Sequence, residues 1–194
     1  MKIAIVKYNA GNLESVRNSL LRLGIEPVVT CDPSELKGAD KVIFPGVGEA
    51  SSAMTYLRGR KLDMAIRSLT QPVLAICLGM QLLCGSSEEN GTECLGILPH
   101  RVRRFPAAGL KVPQIGWNNI SNFRSRLFEG IAENSRVYFV HSYFVEKCGH
   151  STADASYGPV ISAAVEHKNF YGVQFHPEKS GPIGAKVIEN FLRI

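Results

Sequence analysis

The chain predicts an open, mostly parallel α/β sheet with helices on both faces and a mixed or antiparallel extension in its second half. Three features of the sequence lead there. Short apolar runs without polar alternation recur at 3–6, 26–30, 41–44 and 73–76, the signature of strands buried on both sides. Stretches of helical period lie between them, which is the βαβ rhythm of a parallel sheet. Beyond residue 100 the pattern changes to short strand-like pieces joined by turns.

Taken in order, residues 3–6 form the first strand and 12–23 the first helix, with Asn12 as its N-cap and Gly24 as its stop. Strands follow at 26–30 and 41–44, helical material covers about 50–69, and the fourth strand spans 73–76. The second half gives strand-like pieces at Val102–Phe105, Lys111–Ile115, Val137–Val140, Tyr143–Glu146, Val160–Val165 and Phe170–Phe175, then a closing helix at about 183–193. The frame is therefore flavodoxin-like. With no repeat, low-complexity tract or linker to divide it, residues 1–194 are expected to form one domain.

At 194 residues the chain can bury a sizeable core. No apolar stretch approaches the roughly 18 residues of a membrane span. Met1–Val6 reads as a strand rather than a leader, so a cytoplasmic location and no membrane partner are expected. Five cysteines (Cys31, Cys77, Cys84, Cys94 and Cys148) fall at irregular gaps without a Cys-x-x-Cys pair, which argues against a disulfide framework and against a zinc site. Twenty-two basic residues against 17 acidic ones give a net charge of +5, a mild preference for anionic ligands. The densest basic cluster, Arg101, Arg103 and Arg104, has only Phe105 beside it as a stacking surface, and reads as a solvated face or subunit contact rather than a nucleic-acid site.

The chemistry concentrates in two segments a hundred residues apart. Ala75-Ile76-Cys77-Leu78-Gly79-Met80-Gln81 sets a cysteine between small residues directly after an apolar strand, as a strand-turn-helix nucleophile requires. A helix starting at Leu78 leaves the sulfur at a helix N-terminus, which favours thiolate over thiol. His176-Pro177-Glu178 follows the strand Tyr171–Phe175 and supplies a base with its orienting carboxylate. In an extended segment, residues two apart share a side, so Glu178 reaches His176. Taken alone, the segment is equally explained as a surface turn at a strand end. In open sheets, ligands sit beyond the carboxyl ends of the strands, where both segments and the loop Pro45-Gly46-Val47-Gly48 emerge. The Leu78 amide and a backbone N–H of that loop are the expected oxyanion donors. Gly46 tolerates rotation of the 46–47 peptide while Val47 resists positive φ, so the oxyanion hole is expected to open only when a partner stabilises the flipped peptide. His100, His150 and His167 read as loop or turn residues. His141 is a competing base without a neighbouring carboxylate, and a binding or interface role suits it better.

At these residues the sequence resembles the triad-type (class I) glutamine amidotransferases, and within them the glutaminase subunits of imidazole glycerol phosphate synthases of histidine biosynthesis. The likeness covers essentially the whole chain. It includes Tyr8-Asn9-Ala10-Gly11-Asn12-Leu13, Pro45–Gly48, the segment around Cys77, Pro113-Gln114-Ile115-Gly116-Trp117-Asn118, Tyr138-Phe139-Val140-His141-Ser142-Tyr143 and Gly172–Ser180. Ala75 stands where the family usually has glycine, and Gln114 where it often has histidine. The resemblance implies that Cys77 attacks the glutamine side chain, His176 relays protons and Glu178 orients it. It implies that Gln81 and the backbone of His141, Ser142 and Tyr143 hold glutamine. It further implies that Asn12, Tyr138 and Lys179 lie at the contact with a (β/α)8-barrel cyclase subunit, forming a heterodimer that takes the ammonia. No metal or organic cofactor is implied. The glutaminase of pyridoxal phosphate synthase, a stand-alone cysteine amidohydrolase or peptidase, and a non-catalytic binding module remain as alternatives.

Overall fold

The computed structural model describes residues 1–9, 11–106 and 109–194; Ala10, within the Tyr8–Leu13 motif, lies outside them. The strands are Ile3–Val6 (β1), Val28–Thr30 (β2), Lys41–Gly46 (β3), Val73–Cys77 (β4), Ser86–Ser87 (β5), Thr92–Glu93 (β6), Arg101–Arg104 (β7), Gln114–Ile120 (β8), Ser135–His141 (β9), Tyr143–Val145 (β10), Ser151–Ser156 (β11), Val160–His167 (β12) and Phe170–Val173 (β13). The helices are Leu13–Arg22 (α1), Pro33–Lys37 (α2), Ala50–Gly59 (α3), Leu62–Arg67 (α4), Leu78–Leu82 (α5) and Gly181–Arg193 (α6).

Among these residues the central sheet has seven strands in the order β11-β12-β13-β4-β3-β1-β2. From β2 to β13 all neighbours are parallel, and β12 and β11 add an antiparallel edge. The apolar runs make sense in this setting because successive side chains serve opposite cores. Ala4, Val6, Val42, Phe44, Val73 and Ala75 face one cluster with α3, α4 and α5. Ile3, Ile5, Ile43, Leu74 and Ile76 face the other, with Val16 and Leu20 of α1 and Val187, Ile188 and Phe191 of α6. Four strands (β10-β7-β5-β6) and a ribbon of β8 with β9 make the expected extension.

Several expectations change in detail. Asn12 takes the expected N-cap position of α1, but in the left-handed region (φ 74) and without a side-chain capping bond, because its side chain is used elsewhere. Gly24 does end that helix, its N–H donating to the Leu21 carbonyl at 2.9 Å while Ile25 donates to Leu20 at 3.0 Å, the paired bonds of a Schellman stop. The helical stretch at 50–69 is two helices, parted where Lys61 turns left-handed (φ 57). Strand β8 starts at Gln114 rather than Lys111, since Pro113 has no N–H to give a ladder. Besides the two-residue strands β5 and β6, two elements were unforeseen. Helix α2 is announced by Asp32-Pro33, with Asp32 accepting from the Ser34 N–H at 2.8 Å. Strand β11 carries mostly small and polar residues and pairs irregularly with β12. No helix among the described residues is long and apolar enough to cross a membrane.

Candidate active site

The site is built where β4 stops. Cys77 ends that strand with φ 55 and ψ −110, a strained conformation for a residue with a side chain, and α5 begins at the next residue. Two glycines make room for the turn. A Cβ on Gly79 would lie 2.0 Å from the Phe44 carbonyl oxygen, and one on Gly46 would lie 2.2 Å from the Tyr8 hydroxyl. Gly46 is thus needed for close approach as well as for any peptide rotation. It also belongs to β3, paired with Cys77, so the expected loop shortens to Val47 and Gly48. Tyr8 is buried, and its hydroxyl has no hydrogen-bond partner among the described residues. Burial, with Cys77 nearby, pushes that hydroxyl well above the usual phenol range. Gly79→Ala should force the elbow off β3, costing roughly 2–4 kcal/mol of stability and at least about a hundredfold in turnover at Cys77; urea unfolding and a turnover assay would check both.

His176 comes from the segment after β13. Its N–H donates to the Tyr138 carbonyl at 2.9 Å. Tyr138 N–H donates to Ser180 Oγ at 2.9 Å, and Ser180 Oγ donates to the His176 carbonyl at 2.7 Å. The backbone of the ribbon strand β9 and that of the histidine are therefore joined in both directions. The Glu178 carboxylate reaches Nδ1 of His176 at 2.7 Å, with both side chains shielded from solvent. The geometry differs from the extended segment expected: Pro177–Lys179 is a single 3₁₀ turn that folds Glu178 back onto the ring. Asn12 donates to the same carboxylate oxygen, which explains why its side chain makes no capping bond to α1, while the other oxygen is buried without a partner among the described residues.

Cys77 and His176 meet across one cavity of about 290 Å³, which both line. Burial alone would lower the histidine pKa, but hydrogen bonding to Cys77 and Glu178 outweighs it and raises it to about 10. His176 is therefore an imidazolium near neutral pH. Beneath the sulfur, Gln174 Nε2 lies 3.7 Å from Sγ, and Gln174 Oε1 accepts from Gln81 Nε2 at 3.0 Å. Gln81 Nε2 also donates to the Tyr143 carbonyl at 2.9 Å, so its own carbonyl oxygen is left to face a ligand.

His141 is not a free base. Burial holds its pKa down at about 4, opposed by its bond to Tyr143 and assisted by the charge of His176. A neutral ring has one proton, which Nδ1 donates to the Tyr143 carbonyl at 2.8 Å. Gln114 Oε1 lies 3.0 Å from Nε2; an unprotonated Nε2 needs a donor there, which the Gln114 amide supplies when turned end for end so that its NH2 faces the ring. Gln114, the departure noted in the sequence, thus fixes His141, and His141 in turn fixes the backbone of residue 143.

Of the residues expected at the site, Val47, Gly48, Leu78, Gln81, His141, Ser142, Tyr143 and Lys179 line the cavity with Cys77 and His176. Gly46, Glu178 and Asn12 stand behind it. Tyr138 lies outside, edge-on to Trp117 with ring centres 6.0 Å apart. Sequence reasoning missed Glu89, Pro113 and Val140 in the lining, and gave no role to Gln174 and Ser180. Gln174 did carry a signal, as a polar residue inside the apolar run 170–175. Glu89 did not, since Glu88-Glu89-Asn90 reads as an ordinary acidic surface. One Glu89 oxygen accepts from the Ala50 N–H at 2.7 Å; burial, together with Glu49, raises its pKa despite that bond.

Comparison with known proteins agrees with this geometry. The family model described as glutamine amidotransferase class-I matches residues 4–194. Proteins named imidazole glycerol phosphate synthase subunit HisH are similar along their full length. The one from Bacteroides fragilis is 52% identical, covering 100% of both chains. That from Haemophilus influenzae is 47% identical, covering 99% of this chain and 97% of the other. The Escherichia coli protein is 46% identical over 100% of both. A crystal structure of a glutamine amidotransferase shares the fold at a TM-score of 0.77 and 19% identity, covering 100% of this chain and 98% of that one. PurLQS from Thermotoga maritima shares it at 0.72 and 18%, covering 99% and 97%. A strained cysteine and a histidine facing one pocket, a glutamate bonded behind the histidine, and a family match that runs almost from end to end place this chain in the class-I glutamine amidotransferase family.

Proposed function

We propose that this chain is the glutaminase subunit of an imidazole glycerol phosphate synthase, releasing ammonia from glutamine for a (β/α)8-barrel cyclase subunit. The observation that carries the reading is Cys77 and His176 facing one cavity, with Glu178 bonded to the imidazole from behind, in a chain 46–52% identical over its length to subunits of that name.

The chemistry follows from the positions. Sγ of Cys77 attacks the side-chain amide carbon of glutamine. The oxygen gains negative charge, which the Leu78 N–H and, once the loop peptide has rotated, an N–H of Val47–Gly48 receive. His176, bound to Glu178 through Nδ1, gives its Nε2 proton to the leaving nitrogen. The C–N bond breaks, ammonia departs and a glutamyl thioester remains on Cys77. His176, now neutral, takes a proton from water as it attacks the thioester; the C–S bond breaks, glutamate leaves and the thiolate–imidazolium pair is restored. Gln81 Oε1 suits a donor on the substrate, and the Glu89 carboxylate suits its α-ammonium.

A partner has a surface to meet. Ile115 and Trp117 are exposed large apolar residues on β8, beside Tyr138, whose backbone holds His176, and Lys179 at the cavity mouth is also exposed. A cyclase covering this face would shield the escaping ammonia, and its products with that ammonia would be imidazole glycerol phosphate and aminoimidazole carboxamide ribotide. No organic cofactor enters this chemistry, and the mechanism calls for neither a nucleic acid nor a membrane.

The test is glutamine hydrolysis by the chain alone, with the barrel cyclase, and with the cyclase plus its nucleotide substrate. Weak activity alone, rising at least about fivefold in the loaded complex, is expected if the oxyanion loop is gated. Equal rates in all arms would remove the gating, and absence of ring closure with cyclase, glutamine and its substrate would remove the assignment.

A further inference from the structure

A second constellation of reactive side chains lies apart from the catalytic cavity. His100 precedes β7, and Cys148 and His150 occupy the turn between β10 and β11. Their ligand atoms all lie within 4.8 Å of one another, and His100 Nε2 and His150 Nδ1 are 2.8 Å apart. We propose that His100, Cys148 and His150 form a binding site for a zinc-class divalent metal, which clips the start of β7 to the turn after β10.

The site is ordered by its surroundings. The Gly85 N–H donates to the His100 carbonyl at 2.9 Å, and the Glu166 N–H to the His150 carbonyl at 2.9 Å. Cys148 N–H donates to Ser151 Oγ at 2.8 Å, and that hydroxyl lies 3.6 Å from the cysteine sulfur. All three ligands are half-buried, so an ion can reach them while part of its surroundings stays protein. A tetrahedral ion with metal–nitrogen distances of about 2.0–2.1 Å and a metal–sulfur distance of about 2.3 Å spaces its ligands about 3.3–3.6 Å apart. Rotation of side chains by little more than about an ångström brings the set to that spacing. Two imidazoles and a thiolate suit zinc, cobalt or copper and not the oxygen-seeking magnesium or calcium. The His167 ring packs edge-on against His150, ring centres 5.0 Å apart, and water would complete the coordination.

Cysteine spacing gave no hint of this, because the site joins residues nearly fifty positions apart and uses one cysteine only. Its mechanical setting is also informative. Strands β7 and β10 pair from Val102 with Val145 to Arg104 with Tyr143. One end of that pairing lies near the proposed ion and the other, at Tyr143, forms the wall of the glutamine cavity.

Cobalt titration of the metal-stripped Cys77→Ala chain separates this site from the catalytic thiol. One equivalent should produce thiolate-to-cobalt charge-transfer absorption, displaced by zinc, and zinc should raise the melting temperature. Cys148→Ser in the same background should abolish the band. His100→Gln and His150→Gln, checked for folding by circular dichroism, should weaken cobalt binding at least about tenfold and remove most of the zinc-induced melting shift. No band in Cys77→Ala, a band surviving Cys148→Ser, or an undiminished zinc shift in the histidine variants would overturn the proposal.

Discussion

Cys77→Ala is expected to end glutamine-dependent synthesis while ammonium salts still support ring closure when the barrel cyclase is present. The reason is local. The cavity, the Gln81–Gln174 pair and the triad carboxylate do not depend on the sulfur, so the chain should fold and still meet its partner. What disappears is the atom that forms the thioester, and among the described residues no neighbour replaces it: Ser142 lines the cavity but has no ring nitrogen bonded to its hydroxyl, and His141 is neutral with both nitrogens engaged. Parallel assays with glutamine and with ammonium, on the same reconstituted complex, give the answer. Loss of both activities would show that the variant fails to assemble or that the cyclase needs the thiol, and the division of labour would fall.

His176→Ala should lower glutamine turnover by about four to six powers of ten, since members of a triad act as a unit. Adding Cys77→Ala should then cost almost nothing more. A near-normal rate would require another base; among the described residues that line the cavity, His141 has both ring nitrogens engaged and Glu89 is tied to the Ala50 N–H. Stability provides a second reading. The pairing holds the His176 pKa above its ordinary 6.5, at about 10. Its contribution is therefore complete below about pH 6.5 and is lost as pH rises through about 10. Urea unfolding of the wild type should weaken along that alkaline limb, and His176→Ala should show a flatter one.

The parts legible in the sequence were those carried by neighbours along the chain. Apolar runs located β1, β3 and β4 because each strand is buried on both faces. Cys77 was legible because a nucleophile elbow demands small residues beside it, and Gly79 meets that demand against Phe44. His176 and Glu178 were found as a pair, although a 3₁₀ turn rather than an extended segment unites them. What escaped was assembled through space. Ser180 matters only because β9 passes beside it, Asn12 only because α1 starts next to Glu178, and Gln114 only because its strand pairs it with His141. Strand β11 escaped because small polar residues give no alternation to read.

The closed circuit of bonds among Tyr138, His176 and Ser180 has a mechanical meaning. The outer β-ribbon cannot slide without dragging the proton carrier with it, since no slack loop separates them. Pressure applied at the aromatic rim would be delivered to the reacting centre almost undiminished, the way a rigid bell-crank transmits a pull.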